Sequence, residues 1–471
     1  SLVCLAMIFS AAALVAFNLL VDASAAYTPE ALADQVTNLP GAENLEINFN
    51  QFSGYLPVYK TKQMHYWFVE SMNDPANDPI SFWTNGGPGC SGLLGFLTEQ
   101  GPFRPQKDMT LTMNEYAWNK ISNMVFIEAP CGVGYSYSTA EDTSADYKHD
   151  DASTAADNYQ LIQAFFERFP DLRSNKMYIS SESYGGHYMP TLAKEIVDQN
   201  TAGNNPQLNF KGFAVGNPFT EVYSGIPAML ETYWGHQMLS KPIWDTYLNE
   251  CVNAHIPNMT ICESIVTKAY VGVGNINPYA IDYPVCVEDE SSQRYTFMKS
   301  LVADSKNEDY KNMFLVPDET YNPCTEDYST EYLNLAEVKK ALHVNPDVTW
   351  AMCSRTIHYK QSDSKNSMVP IYEYLLSGPY DLDILVFSGD NDAVCGTVGA
   401  QHWIWDLGYE VKGRMYQPYE VSQQMAGYAT KFNGVKFGFV TVHGAGHEVP
   451  AYKPEVALYL WKTYLEGGWT Q

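Results

Sequence analysis

At 471 residues the chain is long enough for one large catalytic domain with an insertion, or for two domains. Its 45% apolar content is that of an ordinary globular protein and excludes a long low-complexity chain. Lys and Arg number 28 against 54 Asp and Glu, a formal charge of −26, which excludes nucleic acid and anionic membrane as main partners and suits a mildly acidic compartment.

Leu2 to Leu20 is almost wholly apolar and Ala23-Ser24-Ala25 follows with the small residues of a cleavage site, so residues 1–25 are predicted to be a secretory signal peptide. No later segment is long and apolar enough to span a bilayer, and a protein of the extracellular space or of the vacuole or lysosome lumen is expected. Of nine cysteines, Cys4 falls in the signal. An even number then remains, which in an exported chain favours disulfides. None of the spacings is a zinc C-x-x-C pattern, and neither a metal nor another cofactor is expected. Asn258-Met259-Thr260 is an N-glycosylation acceptor.

From Asn48 onwards β-type runs alternate with turn signals, as at Met64 to Glu70 and Pro79 to Thr84, the latter running into Asn85-Gly86-Gly87-Pro88-Gly89-Cys90. A buried-looking strand at Asn123 to Glu128 follows. The spacing of Ala155, Ala156, Tyr159, Ile162, Phe165 and Phe166 predicts a helix over Asp151 to Phe169. Strand Met177 to Ser180, helix His187 to Gln199 and strand Asn209 to Val215 come next. Such alternation predicts a mostly parallel central sheet flanked by helices.

The pattern stops at Gly216-Asn217-Pro218, so a first part of the α/β core is expected over 27–218. From 219 to 350 the chain is Tyr-rich and polar, with helix-like stretches such as Leu333 to Leu342, and is expected to be an inserted, disulfide-stapled helical cap. The second part of the core, 351–471, holds strands at Asp383 to Ser388 and Lys436 to Val442 and a helix over Glu455 to Leu465.

Ser181-Glu182-Ser183-Tyr184-Gly185 lies between a strand and a helix, where a sharp turn lifts the Ser183 hydroxyl out of the sheet and small neighbours let the turn close. A serine hydroxyl is a weak nucleophile until a base takes its proton and an acid orients that base. In α/β-hydrolases the acid and then the base follow the serine along the chain. Ser388-Gly389-Asp390-Asn391-Asp392 offers Asp390 or Asp392 as the acid. His443 or His447 can be the base, with loop position favouring His447. The N–H of Tyr184 and the glycine loop at Gly86 and Gly87 are candidates to hold a tetrahedral oxyanion.

With Phe52-Ser53-Gly54-Tyr55, Asn85 to Ser91, Gly132 to Ser138, Glu182-Ser183-Tyr184-Gly185-Gly186-His187-Tyr188, Gly389 to Asp392 and Gly446-His447-Glu448-Val449-Pro450 in that order, the chain resembles the serine carboxypeptidase family of α/β-hydrolases. The resemblance implies an α/β-hydrolase fold with Asp392 as acid, His447 as base and Gly87 and Tyr184 as oxyanion donors. It further implies that Asn85, Gly86, Glu99 and Glu182 bind the α-carboxylate of a peptide substrate, with one proton shared between the glutamates. Family pairing would join Cys90 to Cys353, Cys251 to Cys262 and Cys286 to Cys324. Cys131 and Cys395 depart from that pattern, lie beside two loops that approach the site, and are expected to form a fourth bridge.

The implied function is release of C-terminal amino acids from peptides at acid pH through an acyl-enzyme. The alternative is an acyltransferase in which an alcohol resolves that intermediate, and a binding protein with an idle catalytic set ranks last. Glu448, next to the base, hints at tolerance for basic residues near the scissile bond. The stretch 288–311 is expected to be an intact surface loop rather than a site of nicking, and both monomer and homodimer remain open.

Overall fold

Strand runs that are apolar at nearly every position are stable only with both faces covered, and such runs make the centre of this protein. The computed structural model describes residues 27–254, 259–285 and 325–471. The signal peptide, Asn258, the Cys286–Cys324 pair and the 288–311 loop lie outside the described residues.

Ten strands run β1 (Gln51–Val58), β2 (Lys62–Val69), β3 (Ile80–Thr84), β4 (Asn123–Ile127), β5 (Met177–Glu182), β6 (Phe210–Gly216), β7 (Asp383–Gly389), β8 (Gln417–Val421), β9 (Gln424–Lys431) and β10 (Phe437–Val442). With the short segment Tyr137–Ser138 against β2 they form one eleven-stranded sheet in the order β1-β2-β4-β3-β5-β6-β7-β10-β9-β8. From β4 to β10 the neighbours are parallel. The flanks at β1-β2-β4 and β10-β9-β8 are antiparallel.

Every residue of β3, β4, β5, β7 and β10 is buried. Alternate side chains enter opposite layers, as period two requires. Ile80, Phe82, Ile179, Phe213 and Ile384 join one apolar cluster with Phe165 and Phe166 of the helix Asp151–Arg168. Trp83, Tyr178, Ala214 and Leu385 join the other, with Trp461 of the helix Pro454–Leu465. The helix at 151 starts in a capping box, in which Asp150 accepts from the Ser153 N–H at 2.7 Å and the Ser153 hydroxyl accepts from the Asp150 N–H at 2.9 Å.

Packing divides the inserted stretch in two. Helices Val222–Gly235, Lys241–Tyr247 and Met259–Gly272 share a small separate core of Leu230, Tyr233, Leu239, Tyr247, Ile265 and Ala269, stapled by Cys251–Cys262. Tyr332, Leu333, Val338, Leu342 and Trp350 belong instead to the main core. The single helix expected over Leu333 to Leu342 is broken at Leu335 into Thr325–Asn334 and Ala336–Ala341. Asn334 makes the break, since its side chain bonds both the N–H and the carbonyl of Trp350 at 2.9 Å.

The returning segment is docked by one buried carboxylate. Glu128, wholly buried, accepts from the Ser91 hydroxyl, from the Trp350 indole at 2.7 Å and from the Tyr135 N–H at 2.7 Å, and it faces His65 Nδ1 at 2.9 Å. Replacing it strands several buried donors at once. Glu128→Ala should therefore lose about 3–5 kcal/mol in urea unfolding with an unchanged m-value. A loss below about 1 kcal/mol would refute this account of the docking.

Candidate active site

Each candidate residue follows the C-terminal end of a central strand or lies near one, where open α/β sheets expose their crevices. Asn85, Gly86 and Gly87 follow β3, Ser183 follows β5, Asp392 lies in the loop after β7, and His447 in the loop after β10. Ser183 has φ +59°, the left-handed conformation of a sharp strand-to-helix turn. The glycine loop lies hard against this turn. A Cβ at Gly86 would stand 2.5 Å from the Tyr184 nitrogen and 2.7 Å from the Glu182 carbonyl, so no other residue fits there. Among the described residues, no acceptor engages the backbone N–H of Gly87 or Tyr184.

The candidate acids and bases fall into two pairs. His447 Nδ1 lies 2.6 Å from Asp392 Oδ2, and both side chains are almost completely buried. A carboxylate only accepts, so Nδ1 carries the proton and Nε2 is left as the basic nitrogen. The rival residues pair with each other at the surface, His443 Nδ1 to Asp390 Oδ2 at 2.8 Å, with His443 66% exposed. Asp392 is fixed along its own loop by the Val394 N–H at 2.7 Å and the Cys395 N–H at 3.1 Å.

Ser183 and His447 line one pocket with Asn85, Gly86, Gly87, Glu182, Glu448, Tyr279, Met352 and the Cys90–Cys353 disulfide. Leu94, Tyr279 and Met352 carry no motif and were invisible before the fold was known. The segment 277–283 clasps both loops of the site: the His447 N–H donates to the Tyr279 carbonyl at 2.7 Å, Ala393 N–H to Pro278 at 2.9 Å and Ile281 N–H to Asn391 at 3.0 Å.

At the other end of the pocket stand three polar groups. The Asn85 amide donates to Glu99 Oε1 at 3.0 Å and to Glu182 Oε1 at 2.9 Å, while its oxygen accepts from the Trp83 indole at 2.9 Å and the Gly95 N–H at 3.0 Å. All four of its hydrogen-bonding positions are used, and turning the amide over would set donors against donors. Glu99 and Glu182 are hydrogen-bonded to each other. Two carboxylates have no proton between them, so one of the pair must be protonated. Glu182, 4% exposed, has its carboxyl held well above the ordinary 4.5 by burial first, then by Glu99 and Glu448. Arg104, whose guanidinium donates to the Glu99 carbonyl, brings a positive charge to the Glu99 side. Burial lowers that guanidinium to about 10, which leaves it charged beside Glu99.

The bridge expected between Cys131 and Cys395 does not form, and both thiols are free and buried. They face different neighbours. Cys131 packs in the apolar layer beneath the sheet, its carbonyl accepting from His149 Nε2 at 2.8 Å. The Cys395 thiol lies near Asp392, to which the residue's own N–H donates at 3.1 Å. Burial pushes both thiols up, that of Cys131 to about 12, so neither is a thiolate. Asp392, Cys395 and His447 bring an oxygen, a sulfur and a nitrogen within 4.8 Å of one another. With the imidazole and carboxylate bonded to each other and the thiol protonated, the trio is a hydrogen-bonded set and not a metal centre.

Behind the Ser183 turn, Asp151 accepts from Tyr184 at 3.1 Å and Tyr359 at 2.8 Å and faces His187 Nδ1 at 2.9 Å. Tyr188 accepts from the Gly89 N–H at 3.2 Å, tying the glycine loop to the same helix. His187 and Tyr188 stood in a quoted motif without a role, while Asp151 and Tyr359 carried no signal.

A serine on such a turn, within a mostly parallel sheet covered by helices, defines an α/β-hydrolase. Residues 40–467 match the family model described as serine carboxypeptidase, and the chain belongs to the serine carboxypeptidase family. It is 36% identical over 455 residues to serine carboxypeptidase-like 27 of Arabidopsis thaliana, with 94% of each chain covered. It is 35% identical over 450 residues to serine carboxypeptidase 24 of the same plant, with 92% of each covered. The crystal structure of Kex1(Δ)p, a prohormone-processing carboxypeptidase from Saccharomyces cerevisiae, aligns with a TM-score of 0.71 over 93% of this chain and 97% of that one at 20% identity, a likeness of fold.

A raised carboxyl pKa means that the folded chain holds a proton the unfolded chain has released. Glu182 therefore contributes stability that is complete below about pH 4.5 and lost as pH climbs through its raised value. Thermal unfolding between about pH 4 and pH 8 should show this decline in the parent and a flatter profile in Glu182→Gln. Parallel profiles would place the proton elsewhere.

Proposed function

We propose that this protein is a carboxypeptidase that releases C-terminal amino acids from peptides and proteins at acid pH. The observation that carries the reading is the Asn85 amide that ties Glu182 to the buried Glu99, with Asn85 and Glu182 lining the same pocket as Ser183. A substrate α-carboxylate offers only acceptors, and beside two ionised glutamates it would be repelled. It meets donors when the Gly86 N–H is joined by an Asn85 N–H and the Glu182 proton, both turned to it from the glutamate contacts they hold in the free enzyme.

In this reading Ser183 Oγ attacks the carbonyl carbon of the last peptide bond while His447 Nε2 takes the hydroxyl proton. Asp392 holds the imidazole through Nδ1, and the N–H groups of Gly87 and Tyr184 receive the oxyanion. The intermediate collapses by breaking the C–N bond, and the imidazolium gives its proton to the departing amine. Water, deprotonated by the same nitrogen, then resolves the acyl-serine. Glu448 on the pocket wall adds negative charge near the bond and supports acceptance of basic residues. A secretory route ending in the extracellular space or an acidic lumen fits the pH at which the shared proton is retained.

A free-acid peptide and its C-terminal amide, assayed side by side, test the reading. Loss of the charge-assisted contacts should slow the amide by about 10- to 100-fold in kcat/KM at acid pH. Equal cleavage of the two, or faster transfer of the acyl group to an added alcohol than to water, would overturn it. The second measurement is pH dependence. Activity on the free acid should fall as pH rises and Glu182 gives up its proton, whereas Glu182→Gln, which keeps a donor at every pH, should retain its activity further into the alkaline range.

A further inference from the structure

We propose that Asn217 is a positioning residue that locks the Asp392 carboxylate to the Ser183 turn. The proposal rests on the reading of Ser183, Asp392 and His447 given above and adds a residue that none of those roles includes. Asn217 follows β6, the strand between the one that ends at Ser183 and the one that leads to Asp392. It is wholly buried and has φ +37°, in the left-handed region that asparagine tolerates better than most residues.

Its turn is bonded in both directions. Toward the serine, the Ser183 N–H donates to the Gly216 carbonyl at 3.0 Å and the Phe219 N–H donates to the Ser183 carbonyl at 2.8 Å. Toward the acid, the Asn217 N–H donates to the Phe387 carbonyl at 2.8 Å. Its side-chain oxygen accepts from the Gly389 N–H at 2.8 Å, and its amide donates to the Gly389 carbonyl at 3.1 Å and to Asp392 Oδ2 at 2.9 Å.

Asp392 Oδ2 is the same oxygen that meets His447 Nδ1. The other donors to the carboxylate, Val394 and Cys395, belong to its own loop and move with it. Among the described residues, Asn217 is the side chain that refers the carboxylate to the strand system that carries the serine. Its short amide offers a carbonyl oxygen and two N–H groups, and all three are used here. A shift of the imidazole by a fraction of an ångström is enough to cost a large factor in rate, so this one bond sets the distance at which the base works.

The test uses labelling of Ser183 by a fluorophosphonate, which needs the serine, histidine and aspartate but not the carboxylate-binding cluster. Asn217→Gly keeps the backbone conformation and removes the donor. Asn217→Asp keeps the shape, and a carboxyl there donates only when protonated. The titratable groups around it are Asp392, His447, Cys395 and, beyond the thiol, Glu182.

Asn217→Gly should label about 100-fold more slowly than the parent at every pH, with the KM for a peptide little changed. Asn217→Asp, expressed as a ratio to the parent at each pH, should approach parity as the pH falls and drop as it rises. If Asn217→Gly fails to fold, the pH course of the Asn217→Asp ratio carries the test. Labelling of both variants within about threefold of the parent across the range would overturn the proposal, as would a flat Asn217→Asp ratio. A parent that does not label at all would instead overturn the reading of Ser183 itself, and this proposal with it.

Discussion

Two carboxyl groups buried in contact cannot both be charged, and this constraint shapes the pocket more than any other. It makes Glu182 a proton donor under conditions in which an exposed glutamate is an acceptor. The surrounding architecture exists to keep that contact. Thr84 is paired with Ser181 across β3 and β5, so the strand ends carry Asn85 and Glu182 to the same side of the crevice. A one-residue slip in that register would turn Glu182 to the opposite face of the sheet and expose a different set of groups to Ser183. The indole of Trp83 and the N–H of Gly95 then orient Asn85, and the helix that ends at Glu99 supplies the second carboxyl.

The catalytic half of the pocket obeys a different rule, that of many short bonds between loops from separate strands. Its members come from the ends of β3, β5, β7 and β10, and none of those loops is rigid alone. The glycine loop is held by contact with Tyr184 and by the Tyr188 hydroxyl, and the disulfide Cys90–Cys353 ties it to the segment after the insertion. Glu128 anchors the start of that segment by gathering Ser91, Tyr135 and Trp350 around one carboxylate.

What was legible in the sequence follows from how local each signal is. Strands rich in large apolar residues, such as Ile80–Thr84 and Asp383–Gly389, announce a sheet covered on both faces, and Ser183 between strand and helix announces its own turn. The hairpin β8–β9 gave no such signal. Its turn is Ser422-Gln423, both with positive φ and neither the Asn or Gly that marks such turns, and β8 has no buried residue. Local pattern alone leaves Asp390 and Asp392 open, because it does not say which histidine each meets, and the resemblance is needed to favour Asp392. The roles of Asp151 and Tyr359 and the separation of Cys131 from Cys395 depend on contacts between residues far apart in the chain, which no window of sequence contains.

The clasp made by 277–283 joins the small helical core to the loops that carry His447 and Asp392. Helices with their own small core feed directly into the backbone that holds His447, Asn391 and Ala393. Any shift of those helices is passed to the loops of His447 and Asp392 through three main-chain bonds, so the small outer core and the floor of the pocket move as one body.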